Sequence, residues 1–263
     1  DLNFRFGTCA LYSGEEKEKA IKHLTFAIKK GCSDSRVYFY LGKAHHLNYN
    51  FTEARFNYKI YQTKLSSKDK NPLPVELNLQ MCDQGSALLK NIRDIVVLEK
   101  TQSAEADFFR YFNLEEIGGK IIVAPSELLT KYDQKANLVS LVHFPGNSST
   151  VYFTSYGKDG GSGKDIYRAD LLPGGTFSTP ERLSSSINTP YDEDFAYMHP
   201  DGRSFYFASK GHNSMGGYDI FKSNYDFSTN TFSEPENLDF AINTPDDDVF
   251  YVVDSLKQTA YFA

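Results

Sequence analysis

As far as about residue 93 the apolar residues recur at helical spacing; beyond it they come in short aromatic and β-branched runs broken by Gly, Pro, Asn and Asp. Two domains are therefore predicted, a helical one over 1–93 and an all-β one over 94–263. Glu15 to Lys30 sets Ala20, Leu24, Ala27 and Ile28 on one face and stops at Gly31, a residue suited to a helix C-terminus. Ser35 to Asn48 predicts a second helix with Tyr38, Leu41 and His45 in line, and Phe51 to Lys64 a third with Ala54, Tyr58 and Tyr61. A further amphipathic helix follows Pro72 and Pro74, carrying Leu77, Met81 and Leu88. Ala20 and Ala54 lie 34 residues apart, the length of one helix-turn-helix repeat, and an alanine at a helix crossing lets a neighbouring aromatic approach the backbone.

The second half also repeats. After Ile95-Val96-Val97-Leu98, Phe108-Phe109-x-Tyr111-Phe112 and Ile121-Ile122-Val123, Phe177-Ser-Thr-Pro-Glu181 recurs as Phe232-Ser-Glu-Pro-Glu236 and Asn188-Thr-Pro190 as Asn243-Thr-Pro245, both at an offset of 55. Asp165-Ile-Tyr167 recurs as Asp219-Ile-Phe221 and Val151-Tyr-Phe153 as Phe205-Tyr-Phe207, both at 54. Each unit reads as strand, turn, strand, glycine-rich loop, strand, polar turn and short strand. A period of 54 to 55 residues with four short strands predicts a blade of a β-propeller, its Phe and Tyr packing one blade on the next. The 170 residues from 94 to 263 make about three such blades, fewer than the roughly four of a closed propeller, and Tyr261-Phe-Ala263 repeats Tyr206-Phe-Ala208. The propeller is thus expected to be incomplete at the C-terminus and the chain to be part of a longer one.

Two resemblances follow from these residues. Tyr38-x2-Leu41-Gly42-x2-His45 followed by Ala54-x3-Tyr58 resembles the tetratricopeptide pattern, with Tyr38 in the Trp place, His45 where an aromatic is usual and Ser66 in place of the helix-ending Pro. Phe4, Gly7, Thr8, Leu11, Ala20 and Leu24 match the preceding repeat more loosely. Tyr206-Phe-Ala-Ser209, Gly211-His-Asn-Ser-Met-Gly-Gly-Tyr-Asp-Ile-Phe221, Pro235-Glu-Asn-Leu238 and Asn243-Thr-Pro-Asp-Asp247 resemble the WD40-like repeats of Bacteroidetes envelope proteins. In that family tetratricopeptide repeats lead into a propeller and an OmpA-like peptidoglycan-binding domain often follows. The resemblance implies a periplasmic, outer-membrane-associated lipoprotein scaffold, with its lipid anchor and cell-wall domain outside this chain and its partners among envelope proteins such as the type IX secretion or gliding machinery. In tetratricopeptide proteins the first helix of each repeat lines the partner groove, which nominates Arg36, Phe39, Lys43 and His46.

Charge and composition narrow the chemistry. With 28 Lys and Arg against 34 Asp and Glu and no basic block, the chain lacks the clustered positive charge that nucleic acid requires. Lys64 to Lys70 also carries an acid and reads as a solvated linker. No apolar run is long enough to span a bilayer, and the first residues are not a secretion signal. Cys9, Cys32 and Cys82 lack CxxC spacing, which argues against a disulfide framework and a zinc ribbon and for buried free thiols. Lys158-Asp-Gly-Gly-Ser-Gly-Lys164 fails the P-loop spacing, and Ser214 lacks the glycine two residues upstream that a nucleophile elbow needs. Asp192, Glu193 and Asp194, echoed by Asp246, Asp247 and Asp248, offer oxygen donors for Ca²⁺, but their repetition favours loop anchors. Asp165 and Asp219 read as turn and backbone partners. No catalytic residue, metal or cofactor is predicted. The competing readings are the propeller part of a peptidase or lyase and a glycan-binding module that uses some of the 39 aromatic residues.

Overall fold

A computed structural model describes residues 2–13, 17–66, 72–90, 95–103, 108–110, 117–161, 163–254, 256 and 258–263. The predicted helix start at Glu15, the linker residues Lys68 to Lys70, Tyr111, Phe112 and the boundary at 93 and 94 fall outside them. The chain divides into two compact units, one over 1–92 with 244–246 and the other over 93–243 with 247–263.

Among the described residues the first unit contains five helices: α1 (Leu2–Tyr12), α2 (Lys17–Lys29), α3 (Arg36–Leu47), α4 (Phe51–Lys64) and α5 (Val75–Leu88). They pack chiefly on their neighbours in sequence. Gly31 ends α2 with φ +79°, Cys32 N–H donating to Ala27 O at 3.0 Å and Gly31 N–H to Ile28 O at 3.0 Å, the paired bonds that close a helix through a left-handed residue. Leu11, Leu24, Val37 and Leu41 form one apolar cluster, and Phe39, Phe51, Tyr58, Tyr61 and Val75 a second. Ala20 and Ala54 are both fully buried. Glycines also make close approaches: a Cβ on Gly7 would lie 2.7 Å from the Leu24 side chain, and one on Gly42 would lie 2.7 Å from the Tyr58 ring. Gly7 and Gly42 are 35 residues apart and Leu24 and Tyr58 are 34 apart, so the same small-against-large contact recurs from α1 and α2 to α3 and α4.

The second unit begins with a 3-10 turn at Phe108–Arg110 and includes a short helix, α6 (Lys131–Lys135). Strand β1 (Lys120–Val123) pairs with β2 (Leu141–Phe144). Strands β3 (Thr150–Ser155), β4 (Asp165–Asp170) and β5 (Glu181–Arg182) make a three-stranded sheet. Strands β6 (Glu193–Met198), β7 (Ser204–Ser209), β8 (Asp219–Asp226) and β10 (Glu236–Asn237) make the largest sheet, in the order β10-β8-β7-β6, with β9 (Thr231–Phe232) also on β8. Strands β11 (Val252–Val253) and β12 (Ala260–Tyr261) pair with each other. Tyr152, Ile166, Ile187, Phe205, Phe207, Phe221 and Phe232 bury their side chains together, bringing residues of β3, β4, β7, β8 and β9 into one core cluster.

This arrangement corrects the predicted fold class. The chain is a mixed helix and sheet protein, and its strands form separate small antiparallel sheets of two, three, five and two strands with no closed barrel or propeller among the described residues. Even an incomplete propeller is built of four-stranded blades, yet among the described residues β1 pairs with β2 alone and β12 with β11 alone. Nor are the units uniform four-stranded blades, because β5, β9 and β10 are only two residues long.

What the period of 54 to 55 encodes is local hydrogen bonding. Asn188 Oδ1 accepts from Ile166 N–H at 2.7 Å, and its Nδ2 donates to Ile166 O and Leu183 O at 3.0 Å each. One repeat later Asn243 Oδ1 accepts from Ile220 N–H at 2.7 Å and its Nδ2 donates to Ile220 O at 3.0 Å. A second scheme ties a carboxylate to the end of a hairpin: Ser155 and Thr130 donate to Asp133, as Ser209 and Thr189 donate to Glu193.

Candidate functional site

The four residues nominated on α3 do not share one open face. Phe39 is buried, its ring 5.2 Å from that of Tyr58 and 5.4 Å from that of Tyr61. His46 is fully buried, with Nδ1 3.4 Å from the Tyr58 hydroxyl and 3.7 Å from Cys82 Sγ. Arg36 is exposed and paired with Asp34 at 2.6 Å, and Lys43 is half-buried. The physical reason is that α3 is packed on two sides: Val37, Leu41 and Ala44 belong to the cluster shared with α1 and α2, while Phe39 and His46 meet side chains of α4 and α5. Assigning a whole face of the helix to a groove therefore fails for Phe39 and His46 and leaves Arg36 and Lys43 in reach of solvent.

The residues weighed for covalent chemistry are occupied structurally. Ser214 is buried and its hydroxyl donates to Ser209 O at 2.7 Å and Gly211 O at 2.8 Å. Of the cysteines, Cys82 is buried, Cys32 half-buried and Cys9 exposed, so the expectation of buried thiols fails for Cys9. Burial pushes the Cys82 thiol up to about 12, which keeps the nucleophilic thiolate scarce near neutrality. Glu193, though it accepts bonds from Thr189 and Ser209, is raised by burial to about 7. Among the described residues no three of His, Cys, Asp and Glu converge as a metal ion would require.

A different cluster has the features of a site. Lys164, just before β4, and Tyr218, just before β8, are 54 residues apart and equivalent in the repeat. Lys164 N–H donates to Asp192 Oδ1 at 3.0 Å, and Tyr218 N–H donates to Asp247 Oδ1 at 2.9 Å. Each main-chain carbonyl in turn accepts from the next loop, Lys164 O from Glu193 N–H and Tyr218 O from Asp248 N–H. The two side chains then diverge. The Lys164 ammonium donates to Asp194 Oδ2 at 2.7 Å, while Asp194 Oδ1 accepts from the Thr154 hydroxyl and Phe195 N–H at 2.8 Å each. The Lys210 ammonium reaches Asp192 Oδ2 at 3.2 Å and lies 4.4 Å from the centre of the Tyr218 ring. Tyr218 is buried and its hydroxyl has no hydrogen-bond partner.

Electrostatics follow from that packing. Burial, reinforced by Asp194, Asp192 and Asp247, holds the Tyr218 phenol far above its ordinary range, so it is a neutral hydroxyl. Burial lowers the Lys164 ammonium, but the charge and hydrogen bond of Asp194 outweigh it and leave the group raised and charged. The composition-based reading passed over this cluster because it treated the glycine-rich loops as turns. The usable signal was the unlike pair at 164 and 218 inside otherwise matching segments. No protein-family model, curated protein or solved structure matches the chain.

Proposed function

We propose that the chain is a non-catalytic, periplasmic scaffold of the outer-membrane envelope that holds partner proteins through its helical unit. The observation that carries this reading is the serial packing of α1 to α5, an array of helices of the kind that presents an extended surface to a partner. Residues 1–92 hold 14 Lys and Arg against 9 Asp and Glu in a chain that is acidic as a whole, and half-buried Lys43 and exposed Arg36, the latter paired with Asp34, lie on the accessible part of α3. An acidic partner surface is the match. The envelope location, the secretion or gliding machinery as partner, and contact with peptidoglycan through a further domain rest on the resemblance of the Gly216-Gly-Tyr-Asp-Ile-Phe221 and Tyr38-x2-Leu41-Gly42 segments.

The test is crosslinking and affinity recovery from envelope extracts with the double variant Arg36→Glu and Lys43→Glu. Recovery of specific partners should fall at least ~tenfold, as loss of about 1.4 kcal/mol requires. Unchanged recovery would show that α3 is not the contact. Phe39 and His46 are left intact, because truncating either opens the core and confounds binding with folding.

A further inference from the structure

Independently of the helical unit's role, we propose that the β unit carries a carbohydrate-binding site at Lys164, Asp192, Asp194, Lys210 and Tyr218. The starting observation is the Tyr218 hydroxyl: the residue is only 8 % exposed, and its oxygen has no partner in a cluster where the charged neighbours have theirs. A buried hydroxyl left unsatisfied is costly, and such a group calls for a partner that completes it. The Tyr218 ring packs with Ala208 and Ile220 in an apolar cluster, while the Lys210 ammonium lies 4.4 Å from the ring centre and the Tyr218 main-chain N–H donates to Asp247, so the residue stands where the apolar cluster meets the polar one.

The chemistry of the cluster selects the ligand. Ammonium groups only donate, ionised carboxylates only accept, and a neutral phenol does both. An anion would meet Asp192 and Asp194, and a cation would meet Lys164 and Lys210. A neutral polyol can use all of them, because each sugar hydroxyl donates and accepts at once. The cluster also opens to solvent, with the Lys210 and Asp192 side chains 38 % and 31 % exposed. Exposed aromatic rings are available to cover the apolar face of a sugar: Tyr191 precedes Asp192 in the chain, and Tyr132 has its ring 5.7 Å from that of Tyr156. Lys210 lies over Tyr218, and its flexible stem allows the ammonium to swing aside as a ligand hydroxyl reaches the phenol.

The experiment uses the full chain with chitotriose and maltotriose as probes, followed by saturation-transfer NMR and calorimetry. At least one of the two should bind with a dissociation constant in the range of about 0.1 to 10 mM. Tyr218→Phe, which removes only the oxygen, should weaken that binding at least ~tenfold, and Asp194→Asn should weaken it also. The melting temperature of Tyr218→Phe keeps the test decisive, since a phenol that merely lacks a partner in a dry interior gives a more stable Phe variant. Absence of binding by both probes, equal binding by Tyr218→Phe, or a stabilised Phe variant with sugar binding unchanged would overturn the proposal.

Discussion

Asp165 on β4 and Asp219 on β8 stand 54 residues apart at equivalent places in the repeat, both fully buried, yet they are satisfied in different ways. Asp165 receives two bonds of 2.7 Å from the guanidinium of Arg182 on β5. Asp219 receives Met215 N–H at 2.9 Å, Gly216 N–H at 3.2 Å and the amide of Asn237, on β10, at 2.8 Å. Positions 182 and 237 are themselves 55 apart, so one repeat supplies a cation where the other supplies a neutral amide. Without a cation, burial raises Asp219 to about 7. The repeat thus fixes where an acid goes and what backbone it serves, and leaves its charge compensation free to differ.

The largest effect should come from removing the cation. Arg182→Leu removes the cation from a fully buried carboxylate and should cost ~3–5 kcal/mol, whereas Asn237→Leu removes only a neutral donor from Asp219, which can hold its proton, and should cost ~1–3 kcal/mol. Urea denaturation at neutral pH measures both, and equal losses would erase the distinction between the repeats.

The next effect is pH-dependent. Asp219 keeps its proton in the fold up to about 7, while the unfolded chain releases it near the ordinary carboxylate value, so between those limits the folded state binds more protons. Stability from this group is present in full at acid pH and declines as pH rises towards 7, at about 1.4 kcal/mol per pH unit. Asp219→Asn should lower stability overall but remove that slope, read as the difference between variant and parent so that the histidines His45, His143 and His212, whose depressed values act in the opposite direction, cancel. A slope that survives the substitution would assign the proton elsewhere, Glu193 first.

The smallest effect belongs to the outer rim of the first repeat, where Arg168 and Glu181 pair at 3.0 Å with the acid 66 % exposed. Arg168→Ala should shift the denaturation midpoint by less than ~1 kcal/mol, and high salt should abolish even that. A large loss there would mean that charge pairing holds this repeat at its surface as well as at Asp165.

The sequence was most legible where a feature is local. The ranges of α2, α3 and α4 follow from apolar spacing and from Gly31, and the hairpins follow from the aromatic runs around Pro200-Asp-Gly202. The propeller blades were misread because a blade depends on which strands pair, and a period says only that a local pattern recurs. Phe39 and His46 were assigned to a groove because the tetratricopeptide resemblance names the first helix of a repeat without saying how many neighbours cover it; α4 and α5 cover this one. The Tyr218 cluster escaped because its members come from three loops, and only the three-dimensional meeting of Lys164, Asp192, Lys210 and Tyr218 gives them a common meaning.

Asn188 and Asn243 carry one more consequence. Each amide takes both the N–H and the C=O of an isoleucine on the outer side of β4 or β8, next to two-residue strands that end there. A single side chain thereby serves as a one-residue piece of neighbouring strand. The peptide groups it occupies are withheld from any foreign chain seeking a sheet edge to extend, so these asparagines guard the protein against edge-to-edge aggregation at the places where its own strands are shortest.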